Sequence, residues 1–134
     1  MKVSLLVPVY GVEQYVARCA ESLFSQTYKD LEYVFVDDCT PDDSIAVIGR
    51  VLERFPERRD QVKIIRHEVN RGLGAARATA LAASTGECVM HVDSDDYMPV
   101  GAVEALCRRM EETGAEVVDG GYERVSGGKV LETC

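Results

Sequence analysis

The sequence predicts an α/β domain with a mainly parallel sheet and helices on both of its faces. Four short, nearly continuous apolar runs indicate strands that are buried on both sides. Segments with apolar residues every three or four positions separate these runs, a spacing typical of amphipathic helices. Because strands and helices alternate, the strands are expected to lie parallel in one sheet. A length of 134 residues fits one domain with its own core.

The first half of the chain predicts two strand–helix units. Residues 3–9 form the first apolar run, and the apolar positions after Gly11 mark one helix face. Residues 31–36 form a second run that is rich in β-branched and aromatic side chains. Thr40 is then expected to cap a helix that has Pro41 at its first position and acidic residues in its first turn.

The second half predicts further elements in the same order. Residues 62–65 and 88–92 are expected to be strands, and the alanine-rich residues 73–84 a helix that Gly86 closes. Another helix is expected from Pro99 to a stop at Gly114. After it come a short fifth strand at residues 117–118 and a hairpin whose strands are residues 122–125 and 129–133.

Composition excludes several classes of protein. Fifteen basic and 23 acidic residues give a net charge of −8, which argues against a duplex nucleic acid or an anionic membrane surface as the partner. No apolar run approaches the roughly 20 residues of a membrane-spanning helix, and no signal peptide is recognisable. The five cysteines form no C-x-x-C pair and predict neither a zinc site nor a disulfide framework. A reducing, cytoplasmic setting is therefore expected.

Polar clusters follow each of the four predicted strands, at the edge where open α/β sheets bind ligands. The clusters are Pro8-Val9-Tyr10-Gly11, Asp37-Asp38, Asn70-Arg71-Gly72 and Asp93-Ser94-Asp95-Asp96. Carboxylates this close to one another are stabilised by a hard cation, so we expect Mg²⁺ or Mn²⁺. A metal held by one or two carboxylates and completed by a diphosphate would suit a nucleotide substrate.

Each cluster also has a simpler interpretation when taken alone. The first acidic pair can favour a helix dipole, the second acidic cluster can be a solvated loop, and residues 70–72 can be only a turn. Tyr10 can be a half-buried aromatic. His67 and His91 are isolated, and His91 is expected to pack within its strand. The shared placement at one edge of the sheet favours a binding site.

Four segments resemble the successive motifs of family 2 glycosyltransferases. These are inverting enzymes with the GT-A fold, which is a Rossmann-like fold of nucleotide-diphospho-sugar transferases. The match covers about the first hundred residues in the right order, and order makes it more specific than any single motif. The segments are Val3-Ser-Leu-Leu-Val-Pro-Val-Tyr10, Val36-Asp-Asp-Cys-Thr-Pro-Asp-Asp-Ser44, Asn70-Arg-Gly-Leu-Gly-Ala-Ala-Arg77 and Val92-Asp-Ser-Asp-Asp96.

The resemblance implies a nucleotide-sugar site and a role for each of its residues. The base and ribose would be lined by Pro8, Val9 and Tyr10. Asp38 would hydrogen-bond the base, which is usually uracil in this family. Arg71 would lie near the base and the diphosphate. Asp93, Ser94 and Asp95 would form the DxD motif, with Asp93 toward the ribose and Asp95 toward the metal, Mn²⁺ or Mg²⁺, and the diphosphate. Arg77 is expected either to pair with this acidic edge or to be an exposed helix charge.

The resemblance also implies partners and a missing part. The donor would be a nucleotide-diphosphate sugar, with a UDP-sugar expected, and the acceptor a saccharide or lipid-linked molecule of cell-surface polysaccharide synthesis. An inverting transfer needs a general base, and no acidic residue after Asp96 lies in an acceptor-side motif. Residues 1–134 are therefore expected to be the donor-binding part of a longer enzyme, truncated before its catalytic base, which would lie beyond Cys134.

Three departures from the family pattern stand out. Cys39 occupies a position where glycine is usual, and Ala78 and Ala80 replace a common asparagine and glycine. Alanine is comfortable in a helix, so little functional loss is expected at the last two positions.

Two other classes of α/β protein fit the sequence less well. A receiver-like phospho-accepting domain is also an α/β domain with an acidic metal pocket, but its acidic pair follows the first strand and a lysine follows the fifth. Here the pair follows the second strand and no lysine follows Val118. A dinucleotide-binding oxidoreductase would need a G-x-G-x-x-G turn after the first strand, which this sequence lacks.

Overall fold

The computed structural model of the protein describes residues 1–113, 123–126 and 129–133. The predicted alternation of strands and helices is confirmed up to residue 113. In chain order the elements are β1 (Val3–Val9), α1 (Val16–Phe24), β2 (Leu31–Asp37), α2 (Ser44–Leu52), a 3₁₀ helix (Pro56–Gln61), β3 (Val62–Arg66), α3 (Leu73–Ala83), β4 (Cys88–His91), α4 (Ala102–Thr113), β5 (Glu123–Ser126) and β6 (Lys129–Thr133).

Four strands form one parallel sheet in the order β3-β2-β1-β4. Val9 at the end of β1 lies opposite Asp37 at the end of β2, and Leu6 lies opposite His91 of β4. The chain moves outward from β1 to β3 and then returns to the other side of β1 at β4. Such a reversal of strand order opens a crevice at the carboxyl ends of the strands, where open α/β sheets bind their ligands.

Helices cover both faces of the sheet, as predicted. On one face, Leu5 and Val7 of β1 belong to a large buried cluster that includes residues of α1, α2 and α4. On the other face, Leu6 packs in a smaller cluster with Ala76 and Ala80 of α3. The alanines let α3 lie close to the sheet, since they present only a methyl group. All seven residues of β1 are buried, which explains why its sequence is apolar without alternation.

The start of α2 differs from the prediction. Thr40 is not its N-cap, because α2 begins at Ser44 and Asp43 holds the N-cap position. The Thr40 hydroxyl instead accepts a hydrogen bond from the Gly11 amide (2.9 Å) and donates one to the Asp42 carboxylate (2.7 Å). The same carboxylate accepts from the Ser44 amide (3.1 Å), so these side chains are used within the loop before the helix begins.

Helix α4 also begins later than predicted, and Gly86 does not close α3. The Pro99 carbonyl accepts hydrogen bonds from the Gln26 side-chain amide (2.8 Å) and from the Ala102 amide (3.0 Å), and α4 starts only at Ala102. Helix α3 ends at Ala83, and Gly86 lies beyond it against β1. Local sequence could not show either feature, because both depend on contacts with distant segments.

A buried arginine in the 3₁₀ helix was not foreseen. Arg58 is 2% exposed, and its guanidinium donates to four backbone carbonyls of the segment that joins α1 to β2. The donor–acceptor distances lie between 2.7 and 3.3 Å. The acceptors are the carbonyls of Phe24, Gln26, Tyr28 and Lys29. Arg58 thus supplies the hydrogen bonds that this buried turn needs.

The remaining expectations concern the edges of the described structure. His91 is exposed rather than packed, because β4 has no further strand beside it among the described residues. Strands β5 and β6 pair antiparallel, which confirms the predicted hairpin. The expected fifth strand at residues 117–118 and the stop at Gly114 lie outside the described residues. Within the described ranges, no helix is long and apolar enough to cross a bilayer.

Candidate functional site

A cleft of about 450 Å³ opens at the carboxyl ends of β1, β2 and β4, where the strand order reverses. Of the eight residues predicted for the site, all except Arg71 line it. The lining residues are Pro8, Val9, Tyr10, Val12, Asp38, Asn70, Gly72, Leu73, Ala76, Asp93, Ser94 and Asp95. Arg71 lies in the turn beside the cleft, with an exposed side chain and a backbone amide that bonds Asp38. The fold therefore brings the four polar clusters together.

The loop after β1 is fastened to the loop after β2. Gly11 has a φ of +65°, a backbone conformation that favours glycine, and it directs the chain away from β1 just after Tyr10. The Glu13 amide donates to the Asp42 carboxylate (3.2 Å), and the Val12 amide donates to the Ser44 hydroxyl (3.3 Å). The hydrogen bond from Ser44 outweighs the opposing effect of burial and lowers the pKa of Asp42 to about 2. Asp42 therefore holds two loops together and does not line the cleft.

Asp38 is the most densely bonded side chain of the cleft. It is 3% exposed, and its Oδ1 accepts from the Arg71 amide (2.9 Å) while Oδ2 accepts from the Gly72 amide (2.9 Å). The Asn70 side chain adds a bond to the Asp38 carbonyl (3.3 Å). The Asn70-Arg71-Gly72 turn is thus built around this carboxylate, and Gly72 has a φ of +95° that suits glycine.

His67 is a site residue that the sequence did not reveal. Its ring lies 6% exposed behind Asp38, with Nδ1 at 2.8 Å from Asp38 Oδ1 and Nε2 at 2.8 Å from Thr79 Oγ1. Burial by itself would raise the pKa of Asp38, but the hydrogen bonds from His67 and from the Arg71 and Gly72 amides outweigh it and lower that pKa. The available signal was the position of His67 directly after β3, at the edge where the other clusters lie.

Three exposed carboxylates form the acidic edge of the cleft. One oxygen from each of Asp93, Asp95 and Asp96 lies within 4.8 Å of the others. Arg77 of α3 reaches this edge, with Nη2 at 2.9 Å from Asp93 Oδ1, so the ion pair is present. Its Nε is buried without a hydrogen-bond partner among the described residues.

The donor set of the acidic edge fits a hard divalent cation. Mg²⁺ and Mn²⁺ prefer carboxylate oxygen, and they keep positions for water or phosphate when only one or two carboxylates bind them. Asp93 and Asp95 also line the cleft, so a metal bound by them would face a ligand that lies between β1 and β4. The residues present therefore fit the predicted metal.

Comparisons with known proteins agree with this arrangement. The model of the family described as Glycosyl transferase family 2 matches residues 4–133. Glycosyltransferase GlyA of Streptococcus pneumoniae serotype 4 is 39% identical over 121 residues, which cover 90% of this chain and 17% of that protein.

Two solved structures share the fold. Staphylococcus aureus TarS 1–349 in complex with UDP has a TM-score of 0.75 and 32% identity, and the match covers 85% of this chain and 33% of the TarS 1–349 chain. The mannosyltransferase PcManGT from Pyrobaculum calidifontis, in complex with GDP-Man and Mn²⁺, has a TM-score of 0.69 and 28% identity over 78% of this chain and 32% of PcManGT.

The chain thus spans about a third or less of the length of each of these proteins. The match to a glycosyltransferase family model leaves no support for the receiver-like or oxidoreductase alternatives. The four-stranded parallel sheet with its flanking helices is that of the GT-A, Rossmann-like fold. By sequence, fold and the placement of its polar clusters, the chain belongs to glycosyl transferase family 2.

Proposed function

We propose that this chain binds a UDP-sugar together with Mn²⁺ or Mg²⁺ and is the donor-binding part of an inverting glycosyltransferase. The observation that carries the proposal is the convergence of Tyr10, Asp38, Asp93 and Asp95 on one cleft. The aromatic ring and the buried acceptor suit the nucleobase of such a donor, and the exposed acidic edge suits its metal-bound diphosphate. The nucleotides named for TarS and PcManGT support a nucleotide sugar as the ligand class.

The environment of Asp38 favours uracil as the base. A carboxylate has about four acceptor positions, and His67, Arg71 and Gly72 already occupy two on Oδ1 and one on Oδ2. One acceptor position on Oδ2 is left for a ligand. Uracil presents one ring N–H, at N3, whereas guanine presents an N–H and an amino group that together favour both oxygens of a carboxylate. The half-exposed Tyr10 ring offers a face on which the base can stack.

Asp93 and Asp95 would hold the metal at the diphosphate end of the donor. When bound, a divalent cation neutralises the charge that develops on the leaving diphosphate. Arg77 holds the Asp93 carboxylate by an ion pair and so limits its orientations. Among the described residues, Asp95 forms no such ion pair, so its carboxylate is less constrained than that of Asp93.

The proposal also includes an acceptor and a catalytic base. An inverting transfer needs a carboxylate that takes the proton of the acceptor hydroxyl, and we expect it beyond Cys134. The 134-residue chain should then bind donor without transferring sugar. The acceptor would be a saccharide or a lipid-linked molecule of cell-surface polysaccharide synthesis. A cytoplasmic setting is supported by the four described cysteines, all of which are unpaired.

Calorimetric titration with UDP in the presence of Mn²⁺ tests the proposal. We expect Asp95→Asn to weaken UDP binding at least tenfold, because it removes a charged metal ligand. The matched control is Asp60→Asn in the exposed end of the 3₁₀ helix, which should leave the affinity unchanged. Titration with GDP should give a dissociation constant at least tenfold higher than that for UDP.

Three results would contradict the proposal. Absence of UDP binding at millimolar concentration with Mn²⁺ would show that the cleft is not a donor site. UDP binding that does not change with Mn²⁺ or with Asp95→Asn would show that the donor site does not use a metal. Equal affinity for UDP and GDP would remove the specificity that we assign to Asp38.

A further inference from the structure

We propose that His67, which is buried, and Thr79, which is partly buried, form a positioning pair that orients the Asp38 carboxylate and thereby sets the affinity of the cleft for the nucleobase. The inference rests on the proposed function, since Asp38 is there the acceptor for the base. Neither His67 nor Thr79 lines the cleft, so both would act through Asp38.

The three side chains come from different elements and meet in a line. Asp38 follows β2, His67 follows β3 and Thr79 lies in α3. The His67 ring joins the other two at 2.8 Å on each side. The His67 amide also donates to the Asp37 carbonyl (2.8 Å), so its backbone is fixed beside the end of β2. This arrangement couples the position of α3 to that of the carboxylate.

The hydrogen bonds determine which ring nitrogen of His67 faces Asp38. A carboxylate can only accept, so the hydrogen lies on Nδ1, which donates to Asp38 Oδ1. Nε2 lies 2.8 Å from the Thr79 hydroxyl, which can donate or accept and therefore satisfies this nitrogen. Without that hydroxyl, Nε2 loses its side-chain partner and the ring is held through Nδ1 alone. Thr79 therefore keeps the ring in the orientation that points Nδ1 at Asp38.

The pair directs which oxygen of Asp38 remains open to a ligand. His67 and the Arg71 amide both donate to Oδ1, while Oδ2 receives the Gly72 amide alone. If the His67 side chain is removed, Oδ1 of Asp38 regains an open acceptor position in a buried setting. The carboxylate is then held in its orientation by fewer hydrogen bonds. Among the described residues, neither Asp93 nor Asp95 of the acidic edge hydrogen-bonds to His67 or Thr79. Loss of the pair should thus weaken binding of the base and spare binding of the diphosphate.

The test compares two probes on the 134-residue chain, UDP with Mn²⁺ and inorganic diphosphate with Mn²⁺. We expect His67→Ala to raise the dissociation constant for UDP about tenfold, the scale of one hydrogen bond to a charged group, and to change that for diphosphate less than twofold. His67→Asn, whose amide nitrogen replaces Nδ1, should recover most of the UDP affinity. His67→Gln, whose amide nitrogen replaces Nε2, should not.

Thr79 supplies a second and milder perturbation. Thr79→Val removes the hydroxyl with little change of shape and should weaken UDP binding about threefold to tenfold. Thr79→Ser keeps the hydroxyl and should bind as the parent chain does. If His67→Ala does not fold, as judged by circular dichroism, the Thr79 variants still decide the question.

The outcomes separate this inference from the proposed function. Failure of the parent chain to bind UDP would refute the proposed function, and the inference would fall with it. If the parent binds UDP but folded His67→Ala and Thr79→Val bind it equally well, only the positioning pair is refuted. Equal losses for UDP and diphosphate would also refute it, because they would indicate a general structural role.

Discussion

Glu32 of β2 offers the sharpest prediction about stability, at the end of the sheet opposite the cleft. The side chain is 3% exposed, yet its carboxylate is fully bonded. Oε1 accepts from the Ser4 hydroxyl (2.9 Å) and the Thr85 amide (2.8 Å). Oε2 accepts from the Thr85 hydroxyl (2.8 Å) and lies 3.0 Å from Lys63 Nζ and 3.5 Å from Lys2 Nζ. One carboxylate thus ties together β1, β2, β3 and the turn before β4.

The magnitude follows from the protonation of this carboxylate. Burial by itself would raise the pKa of Glu32, but the hydrogen bonds from Thr85, Lys63 and Ser4 outweigh it and lower the pKa from 4.5 to about 2. A pKa that is lowered in the folded state stabilises the fold above the unfolded value, and this contribution is lost as the pH falls from about 5 toward 2. A difference of 2.5 pKa units corresponds to about 3 kcal/mol at pH 7 and leaves about 1.4 kcal/mol at pH 3.

The perturbation is Glu32→Gln, which keeps the oxygen that faces Ser4 and places an amide N–H₂ toward the donors Thr85 and Lys63. Urea unfolding between pH 7 and pH 3 should show the variant about 3 kcal/mol less stable at pH 7 and closer to the parent at pH 3. The control Glu21→Gln removes a carboxylate whose ion pair with Arg54 is exposed, and it should change stability by less than about 0.5 kcal/mol. A Glu32→Gln deficit that is constant with pH would refute the reasoning.

The remaining predictions concern backbone positions and the acidic edge. Gly86→Ala should lower the free energy of unfolding in urea by about 2–3 kcal/mol, because the new Cβ would lie 2.9 Å from a backbone oxygen. Gly49→Ala in α2 should raise it by about 0.5–1 kcal/mol, because the new Cβ would meet nothing within 4 Å. Equal effects of the two substitutions would contradict this. Cys39 has a φ of +57°, so Cys39→Gly should stabilise by about 0.5 kcal/mol, and a loss above about 1 kcal/mol would contradict a strained backbone there. Arg77→Gln should tighten Mn²⁺ binding by the chain alone about threefold, because the guanidinium no longer competes with the metal for Asp93. Electron paramagnetic resonance measures the binding, and weaker binding by the variant would contradict this.

Features that depend on local sequence were predictable. The apolar runs gave the four parallel strands because each strand is short and bounded by polar residues. The site could be located because parallel strands end at one edge, so Asp38 and Asp93 were expected at the same edge of the sheet. Cys39 departs from the usual glycine, and its left-handed backbone gives a physical reason for that preference.

Features that depend on distant contacts were not predictable. His67 and Thr79 are 12 positions apart, and only the docking of α3 on the sheet brings them together around one hydrogen-bonded line. Arg58 and Glu32 look like surface charges in the sequence, yet both are buried because they satisfy backbone carbonyls or surrounding donors. Thr40 matched a helix cap, but the nearby loop after β1 supplied a competing partner for its hydroxyl.

We expect one cleft to hold both the nucleotide and the metal. The decisive measurement is a crystal structure of the chain with UDP and Mn²⁺, with an anomalous difference map for manganese. We expect one manganese peak bound by the carboxylates of Asp93 or Asp95 and a uracil ring within hydrogen-bond distance of Asp38 Oδ2. Manganese bound elsewhere, or a nucleotide outside the cleft between β1 and β4, would contradict it.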